Sequence, residues 1–487
     1  ASLNIQSPLS LPYEPYEKHL STIKRYIARG DTYQVNFTIR ADCAFPIQGI
    51  PLFQSLYREQ PVPYAVFLQT RNWEIHSLSP ELFLKKSSDH IESRPMKGTL
   101  HRGRTTAEDR LLEDALRQSE KDRAENVMIL DMVRNDFGRC CLPGSVHAEK
   151  ICQIERYRSL YQMTSTVHGQ VIPGSTFSQI LAATFPAASI TGAPKYRTME
   201  IIRDLETKPR HCYCGSIGLI KPNGDFIFNV AIRTLVGKEG QYTLGAGGGI
   251  VWDSDPHQEY QEVKNKIAFT QIKTPSFTLL ETIRLDSMEN YRFLEEHLDR
   301  LADSASYWDF EFDRSQARQR LLNESRKITE FPRTIRLSLA HNGTMEITHR
   351  PVTQPPEDVR IRVSSITVHS QNRFLYHKTT HRTLYDQERE RGNQLGFFET
   401  LFLNEKAHIT EGCISNLFYR IEGEWYTPPL YDGLLPGIWR NRFMKEHAAR
   451  ERSVSIAEIV HADEIRIGNS VMGSITVNEI HNAPQII

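Results

Sequence analysis

Apolar residues recur at three- and four-residue spacing over residues 13–28, with Leu20, Ile23, Tyr26 and Ile27 on one face, which predicts a helix stopped by Gly30-Asp31. Alternating apolar and polar positions predict strands over 33–39, 64–68 and 73–77, the last leading into Ser79-Pro80-Glu81. Residues 104–120 read as a charged amphipathic helix. Residues 121–136 read as another, with Met128, Ile129, Met132 and Val133 on a buried face. A strand over 164–170, a glycine and proline bend over 189–195 and a helix over 196–205 follow. Strands 215–220, 226–235 and 241–245 come next, Pro222-Asn223-Gly224 turning between the first two, and a helix opens near Pro256.

The pattern breaks at the short polar segment 273–276, which contains Pro275, so the chain is expected to form two domains, 1–272 and 277–487. The second opens with a strand over 277–285 and a helix over 294–308 carrying His297 and Arg300. A hairpin over 333–340 and 344–349 turns at Asn342-Gly343, and a proline-rich connector covers 351–358. A strand over 359–368, a charged helix over 379–391 just after Lys378, and strands 397–404, 416–421 and 424–427 follow. Leu435-Pro436-Gly437-Ile438 opens a helix over 439–446, and no internal repeat or low-complexity tract is found.

A chain of 487 residues exceeds what one hydrophobic core usually organises. Its 59 basic and 59 acidic residues cancel, which argues against nucleic acid or an anionic membrane as partner and for small molecules or proteins. Seven cysteines without a C-x-x-C pair fit a reducing cytoplasm. No apolar run is long enough to span a bilayer, and the first residues lack the features of a signal peptide. The chain begins at Ala1 rather than methionine, which points to processing or truncation.

The chemistry centres on Ser93-Arg94-Pro95-Met96-Lys97-Gly98-Thr99, where Pro95 and Gly98 present Lys97 at a corner. An amine in a dry pocket beside other cations loses its proton easily and becomes a nucleophile. Asp122 with Glu125 and Glu259 with Glu262 sit at helical spacing on separate helices. Alone, each pair reads as a solvated helix face; together they call for a hard cation, Mg²⁺. Arg233, inside a predicted strand, needs a carboxylate partner if buried, and Gly247-Gly248-Gly249 offers either backbone N–H groups to an anion or a simple turn.

Seven ordered motifs then resemble the chorismate-utilising family, the catalytic subunits of anthranilate, aminodeoxychorismate, isochorismate and salicylate synthases. They are the 30–36 stretch Gly-Asp-Thr-Tyr-Gln-Val-Asn, Ser79-Pro80-Glu81, 94–99, 122–126, 131–136, 191–195 and 246–251. The resemblance implies that Glu125 and Glu262 bind Mg²⁺ with Asp122 and Glu259 in support. It implies that Tyr213, Arg233 and the backbone of Gly248 and Gly249 hold the chorismate carboxylates, near Lys266 and Thr191. Lysine at position 97 resembles the aminodeoxychorismate branch, where anthranilate synthases usually carry alanine. On that reading Lys97 adds to the ring, Glu81 protonates the departing C4 hydroxyl, and ammonia displaces the lysine. The family commonly has histidine where this chain has Gln162. No cysteine lies in a G-x-C-x-G elbow, so ammonia is expected from a separate glutamine amidotransferase subunit.

In the second half a lysine, a carboxylate and an arginine, namely Lys378, Glu411 and Arg300, are the parts a pyridoxal phosphate site requires. With 404–405, 410–416, 427–429 and 435–438 they resemble the fold type IV pyridoxal phosphate enzymes, including aminotransferases and aminodeoxychorismate lyase. The resemblance implies that Lys378 carries the cofactor, Glu411 faces its pyridine nitrogen, and Arg300, Gly437, Ile438 and Ser470 hold its phosphate. The expected fold is thus mixed α/β, a chorismate-binding α/β sandwich followed by a fold type IV domain that pairs with a second copy as a homodimer. The expected activity is amination of chorismate followed by pyruvate elimination to p-aminobenzoate. A fold type IV aminotransferase in the second half, anthranilate-type amination in the first, and one inactive half serving as a docking platform remain the alternatives.

Overall fold

A computed structural model describes residues 9–158, 160–270 and 276–482. The chain divides into two compact units, Ala1–Arg102 with Leu111–Thr274, and Gly103–Arg110 with Pro275–Ile487. Of the expected linker, residues 273–275 lie outside the described residues. The stretch Gly103–Arg110 belongs to the second unit, a division the sequence did not suggest. There the Tyr307 hydroxyl donates to the Gly103 carbonyl at 2.5 Å, and the Arg104 guanidinium donates to the Tyr376 hydroxyl at 3.0 Å.

In the first unit the helix Tyr13–Ala28 buries Tyr16, Leu20 and Ile23 against Phe37 and Ile39 of the strand Gln34–Ala44 and Val263 of the helix Pro256–Ile267. That strand sits in a sheet of six, among the described residues, beside Gln241–Ile250. Gly247, Gly248 and Gly249 lie inside this strand, opposite Thr38, Phe37 and Asn36, so the triple glycine is not a turn. A Cβ on Gly247 would stand 2.1 Å from the Phe37 carbonyl oxygen, which is why a side chain cannot replace it.

A sheet of seven strands, again among the described residues, carries the helix Glu120–Gly138 through Ile129, Leu130, Val133 and Phe137, packed against Phe83, Leu84, Ile91 and Val167. Its strands His90–Arg94 and Met96–His101 pair along Leu160–Gln170, with Pro95, which has no N–H to give a ladder, between them. The register slips between Met96 and Thr99, where Gly98 has φ +93°. Lys97 therefore stands on a strand bulge rather than a loop corner. The expected strand 226–235 is two strands in different sheets, Phe226–Val230 and Thr234–Lys238. Arg233 lies in the crossing between them at φ 49°, not inside a strand.

The second unit has a four-stranded sheet, among the described residues, that includes Leu279–Ser287, Arg333–Leu339 and Met345–Pro351, the last two forming the expected hairpin. The helix Leu294–Trp308 packs on it through Leu298, Leu301 and Ala305. A larger sheet sets Arg360–Val368 parallel to Glu399–Asn404. The helix expected at 379 starts at Thr383, because the backbone before it is committed to the neighbouring strand: Leu280 N–H donates to the Lys378 carbonyl at 2.8 Å and Thr380 N–H to that of Thr278 at 2.9 Å. Several elements escaped the periodicity, among them Gly49–Glu59, His147–Arg156, Arg314–Ser325 and Ile409–Gly412. The mixed α/β class expected from the sequence holds for both units.

Candidate active sites

Lys97, Glu81, Asp122, Glu125, Tyr213, Arg233, Gly249, Glu259, Glu262 and Lys266 line one cavity of about 160 Å³ in the first unit. Two expected residues are not in its wall. The Thr191 hydroxyl donates to the Ala187 carbonyl at 3.0 Å, and Gly248 lies under Glu259, whose Oε2 is 2.9 Å from where a Cβ would stand.

The acids come from two helices whose apolar faces are held by different sheets. Ser119 caps the first helix, accepting from Asp122 N–H and donating to the Asp122 carboxylate at 2.5 Å, which fixes the start of the Asp122–Glu125 face. Lys97 Nζ lies 3.3 Å from Glu125 Oε2, and Lys266 Nζ lies 2.6 Å from Glu262 Oε1 and 2.7 Å from the Gly247 carbonyl. Burial pushes the Glu262 carboxyl up, but Lys266, Lys97 and Lys121 outweigh it and hold it below its ordinary value. Glu259 is raised, by burial and by Glu262, while it accepts from the Ser254 hydroxyl at 2.7 Å.

Among the described residues no cluster of three or more His, Cys, Asp or Glu forms a metal cage. The donor set suits a cation bound by two carboxylates and completed by water and substrate, which is how Mg²⁺ is commonly held. Glu125 and Glu262 fit that role, since each is already matched by a positive charge that the ion would replace.

Glu81 is buried, and burial lifts its carboxyl to about 7 against the pull of the Ser189 hydroxyl, the Met96 N–H, Lys97 and Lys266. Such a group holds a proton near neutrality and can donate it. Arg233 is lowered to about 10 by burial, and its Nη1 is enclosed without a hydrogen-bond partner among the described residues. An enclosed guanidinium nitrogen without a partner in a cavity wall is costly unless an anion completes it.

Asn126 is visible in the sequence only as part of the 122–126 motif. Its amide donates to the Lys97 carbonyl at 3.3 Å and the Met163 carbonyl at 3.2 Å, so it pins the bulge that carries the amine. Gln162 lines the cavity and donates to the Thr99 hydroxyl at 2.8 Å.

In the second unit Lys378, Glu411, Arg300, Gly437, Ile438 and Ser470 all line one cavity of about 330 Å³. Burial lowers Lys378 to about 8, helped by Arg300 and Arg382 and opposed by Glu281 and Glu411. Burial lifts Glu411 to about 8, although Leu435 N–H at 3.1 Å and the Tyr385 hydroxyl at 3.4 Å donate to it. Glu281, which the sequence reading missed, accepts from Arg300 at 2.8 and 2.7 Å and is paired with His297 Nδ1 at 2.6 Å. Burial pushes Glu281 up, yet Arg300 and His297 outweigh it and bring it to about 2. An acid inside the apolar run Leu279-Leu280-Glu281-Thr282-Ile283 was the available signal.

Gly437 is the N-cap of the helix Ile438–Glu446, with no side chain capping it, so backbone N–H groups face the cavity end. A Cβ there would stand 1.9 Å from Asn416 Oδ1, so a side chain would have to displace the Asn416 amide, which donates to Glu411 at 3.3 Å. An amine, a buried carboxyl, an arginine and an open helix N-terminus in one cavity fit pyridoxal phosphate. Lys378, Arg382 and Ser470 also border a second cleft of about 530 Å³, lined further by Arg336, Arg350 and Arg389.

Residues 4–271 match the family model described as chorismate binding enzyme, and residues 278–480 match that described as amino-transferase class IV. Aminodeoxychorismate synthase component 1 of Bacillus subtilis (strain 168) is 41% identical over 247 residues, 51% of this chain and 53% of that protein. Anthranilate synthase component 1 1 of Haloarcula marismortui is 40% identical over 253 residues, 52% of each. The crystal structure of anthranilate synthase component I from Streptococcus pneumoniae TIGR4 superposes with a TM-score of 0.51 at 30% identity, over 56% of this chain and 60% of that one. The chain spans about half the length of the curated relatives it matches.

Proposed function

The chain belongs to the chorismate-binding enzyme family, and from that premise we propose that it makes p-aminobenzoate in two steps, one in each unit. The first converts chorismate and ammonia to 4-amino-4-deoxychorismate and water. The second splits that product into p-aminobenzoate and pyruvate.

The observation that carries the first step is Lys97 in one cavity with a protonatable Glu81 and the unpartnered Arg233. Relatives named for aminodeoxychorismate synthase and for anthranilate synthase are equally similar, so the overall likeness does not choose between them. The amine does. Lys97 Nζ forms a bond to the ring as the C4 hydroxyl leaves, protonated by Glu81 as water; ammonia then bonds to C4, the lysine departs with its electron pair restored, and the proton the new amine sheds returns to Glu81. Arg233 pairs with a substrate carboxylate. Glu125 and Glu262 would hold Mg²⁺, which would neutralise the substrate's negative charge there.

In the second unit Lys378 would be the attachment point for pyridoxal phosphate, Glu411 would serve its ring nitrogen, and Arg300, Ser470 and the N–H groups at Gly437 and Ile438 would hold its phosphate. The cofactor supplies an electron sink for the carbon that loses its proton. Lys378 would serve as the base for that proton, and Glu281 fixes the guanidinium of Arg300. The arginines of the adjoining cleft suit a substrate bearing carboxylates.

The ammonia comes from a separate glutamine amidotransferase, and the second unit pairs with its counterpart in another copy. The seven cysteines are free thiols, which suits a reducing cytoplasm, and no helix among the described residues is long and apolar enough to cross a membrane. Incubation with chorismate, ammonium, Mg²⁺ and pyridoxal phosphate, with products resolved by chromatography, tests the reading; formation of anthranilate, or no amine at all, defeats it. The match to the class IV aminotransferase description favours a second reading, transamination in the second unit. Product yield that depends on an added 2-oxo acid would select it.

A further inference from the structure

Gln34 opens the strand Gln34–Ala44, fully buried, and neither its Oε1 nor its Nε2 has a hydrogen-bond partner among the described residues. A buried amide with both ends idle is unusual, and folded chains keep such groups where something else completes them. Its backbone is not free to move. Gln34 pairs with Ala193, and its carbonyl accepts from the Thr32 hydroxyl at 3.0 Å.

The side chain ends beside Lys97. A Cβ built on Gly249 would stand 2.2 Å from Lys97 Nζ, 2.8 Å from Gln34 Nε2 and 3.0 Å from Gln34 Cδ. The missing side chain of Gly249 is thus the space across which the amine and the amide approach each other. Lys97 Nζ now lies on Glu125 Oε2 at 3.3 Å. To bond to a substrate carbon it must leave that carboxylate, and it then needs another acceptor to fix its direction.

We propose that Gln34 is a positioning residue for Lys97, its amide oxygen accepting a hydrogen bond from Nζ while the nitrogen lone pair points at the ring. The inference rests on the reading of Lys97 as nucleophile. Turning the amide end for end exchanges Oε1 and Nε2 without changing its shape, so the acceptor reaches the place where Nε2 now stands.

The test compares Gln34→Met, of similar length without an acceptor, with Gln34→Glu, which keeps one, in the full chain with chorismate, ammonium and Mg²⁺. The Met variant should lose at least about tenfold in kcat with KM for chorismate within about twofold, and the Glu variant should recover most of the loss. In chorismate without ammonium, intact-protein mass spectrometry should find the Lys97 adduct in the wild type and far less in the Met variant. Wild-type kcat in the Met variant, KM and kcat failing together, or a Glu variant as poor as the Met variant would each overturn the proposal. Should the Met variant not fold by thermal denaturation, Gln34→Leu, which also lacks an acceptor, must show the same loss of adduct. If the wild type itself forms no 4-amino product, the reading of Lys97 fails; if the wild type aminates and the Met variant does so equally, only the role of Gln34 falls.

Discussion

The carboxylate of Asp136 lies 2.7 Å from Lys195 Nζ, which also donates to the carbonyls of Thr184 and Pro186, both at 3.1 Å. Both residues come from motifs that carried the family resemblance, yet neither lines the cavity. They fasten the helix Glu120–Gly138, which carries Glu125, to the start of the helix Lys195–Leu205. Lys195→Met should therefore leave the buried Asp136 carboxylate with only the exposed Arg139, at 2.6 Å, as its charge partner, and destabilise the first unit by about 1–3 kcal/mol. Chemical denaturation reads this, and pyruvate release from supplied aminodeoxychorismate should stay at the wild-type rate. An unchanged midpoint would show that the pair holds nothing.

Glu81, lifted to about 7 by burial, sets a pH dependence for the first reaction. The acid form donates the proton, so its fraction falls as pH rises through about 7. Amination at saturating ammonia should decline over that interval. Glu81→Gln should lower kcat by between about a hundredfold and ten-thousandfold, the range for a general acid. A flat profile together with an active Gln variant would remove Glu81 from the chemistry.

What the sequence showed and what it hid follow one division. Lysine and acids on helices were legible because helical spacing puts Asp122 with Glu125 and Glu259 with Glu262 on shared faces whatever the tertiary packing. Gln34 and Asn126 were not, since an amide has no spacing rule and gains meaning only when a distant strand brings Lys97 beside it. Arg233 was placed in a strand because the apolar run 226–235 continues past Val230, while the chain in fact leaves one sheet for the other there. The helix Arg314–Ser325 was missed because Ala317 and Leu321 are its only buried apolar residues, too few to make a stripe. The residues expected of the second site, Lys378, Glu411, Arg300, Gly437, Ile438 and Ser470, were each marked by a motif or by the family resemblance, and they meet in one cavity. Glu281, which orients Arg300, needed the fold to be found.

Lys378 near 8 sets a second pH dependence, of opposite sign. Its free amine captures the cofactor, and that fraction rises as pH rises through about 8. The rate at which cofactor-free protein takes up pyridoxal phosphate, followed by absorbance, should increase about fivefold from pH 7 to pH 8 and level off above pH 9. This requires no turnover, so it tests the amine apart from the reaction. A rate that keeps climbing beyond pH 10 would mean that burial beside Arg300 and Arg382 does not lower Lys378.

The two lysines lie in separate cavities, one in each unit, and this makes the two-step reading separable. Lys378→Ala removes the amine that carries the cofactor and serves as base, but leaves Lys97, Glu81 and Arg233 untouched. Given chorismate, ammonium and Mg²⁺, that variant should accumulate 4-amino-4-deoxychorismate and release no pyruvate. Lys97→Ala should do the reverse, making no amine from chorismate while still splitting supplied aminodeoxychorismate. Because each variant lacks only one step, mixing them should restore p-aminobenzoate from chorismate, by diffusion of the intermediate from one chain to the other. If Lys378→Ala alone still yields p-aminobenzoate and pyruvate at the wild-type rate, the second unit is not the lyase, and the arginine-lined cleft beside Lys378 must serve another carboxylate.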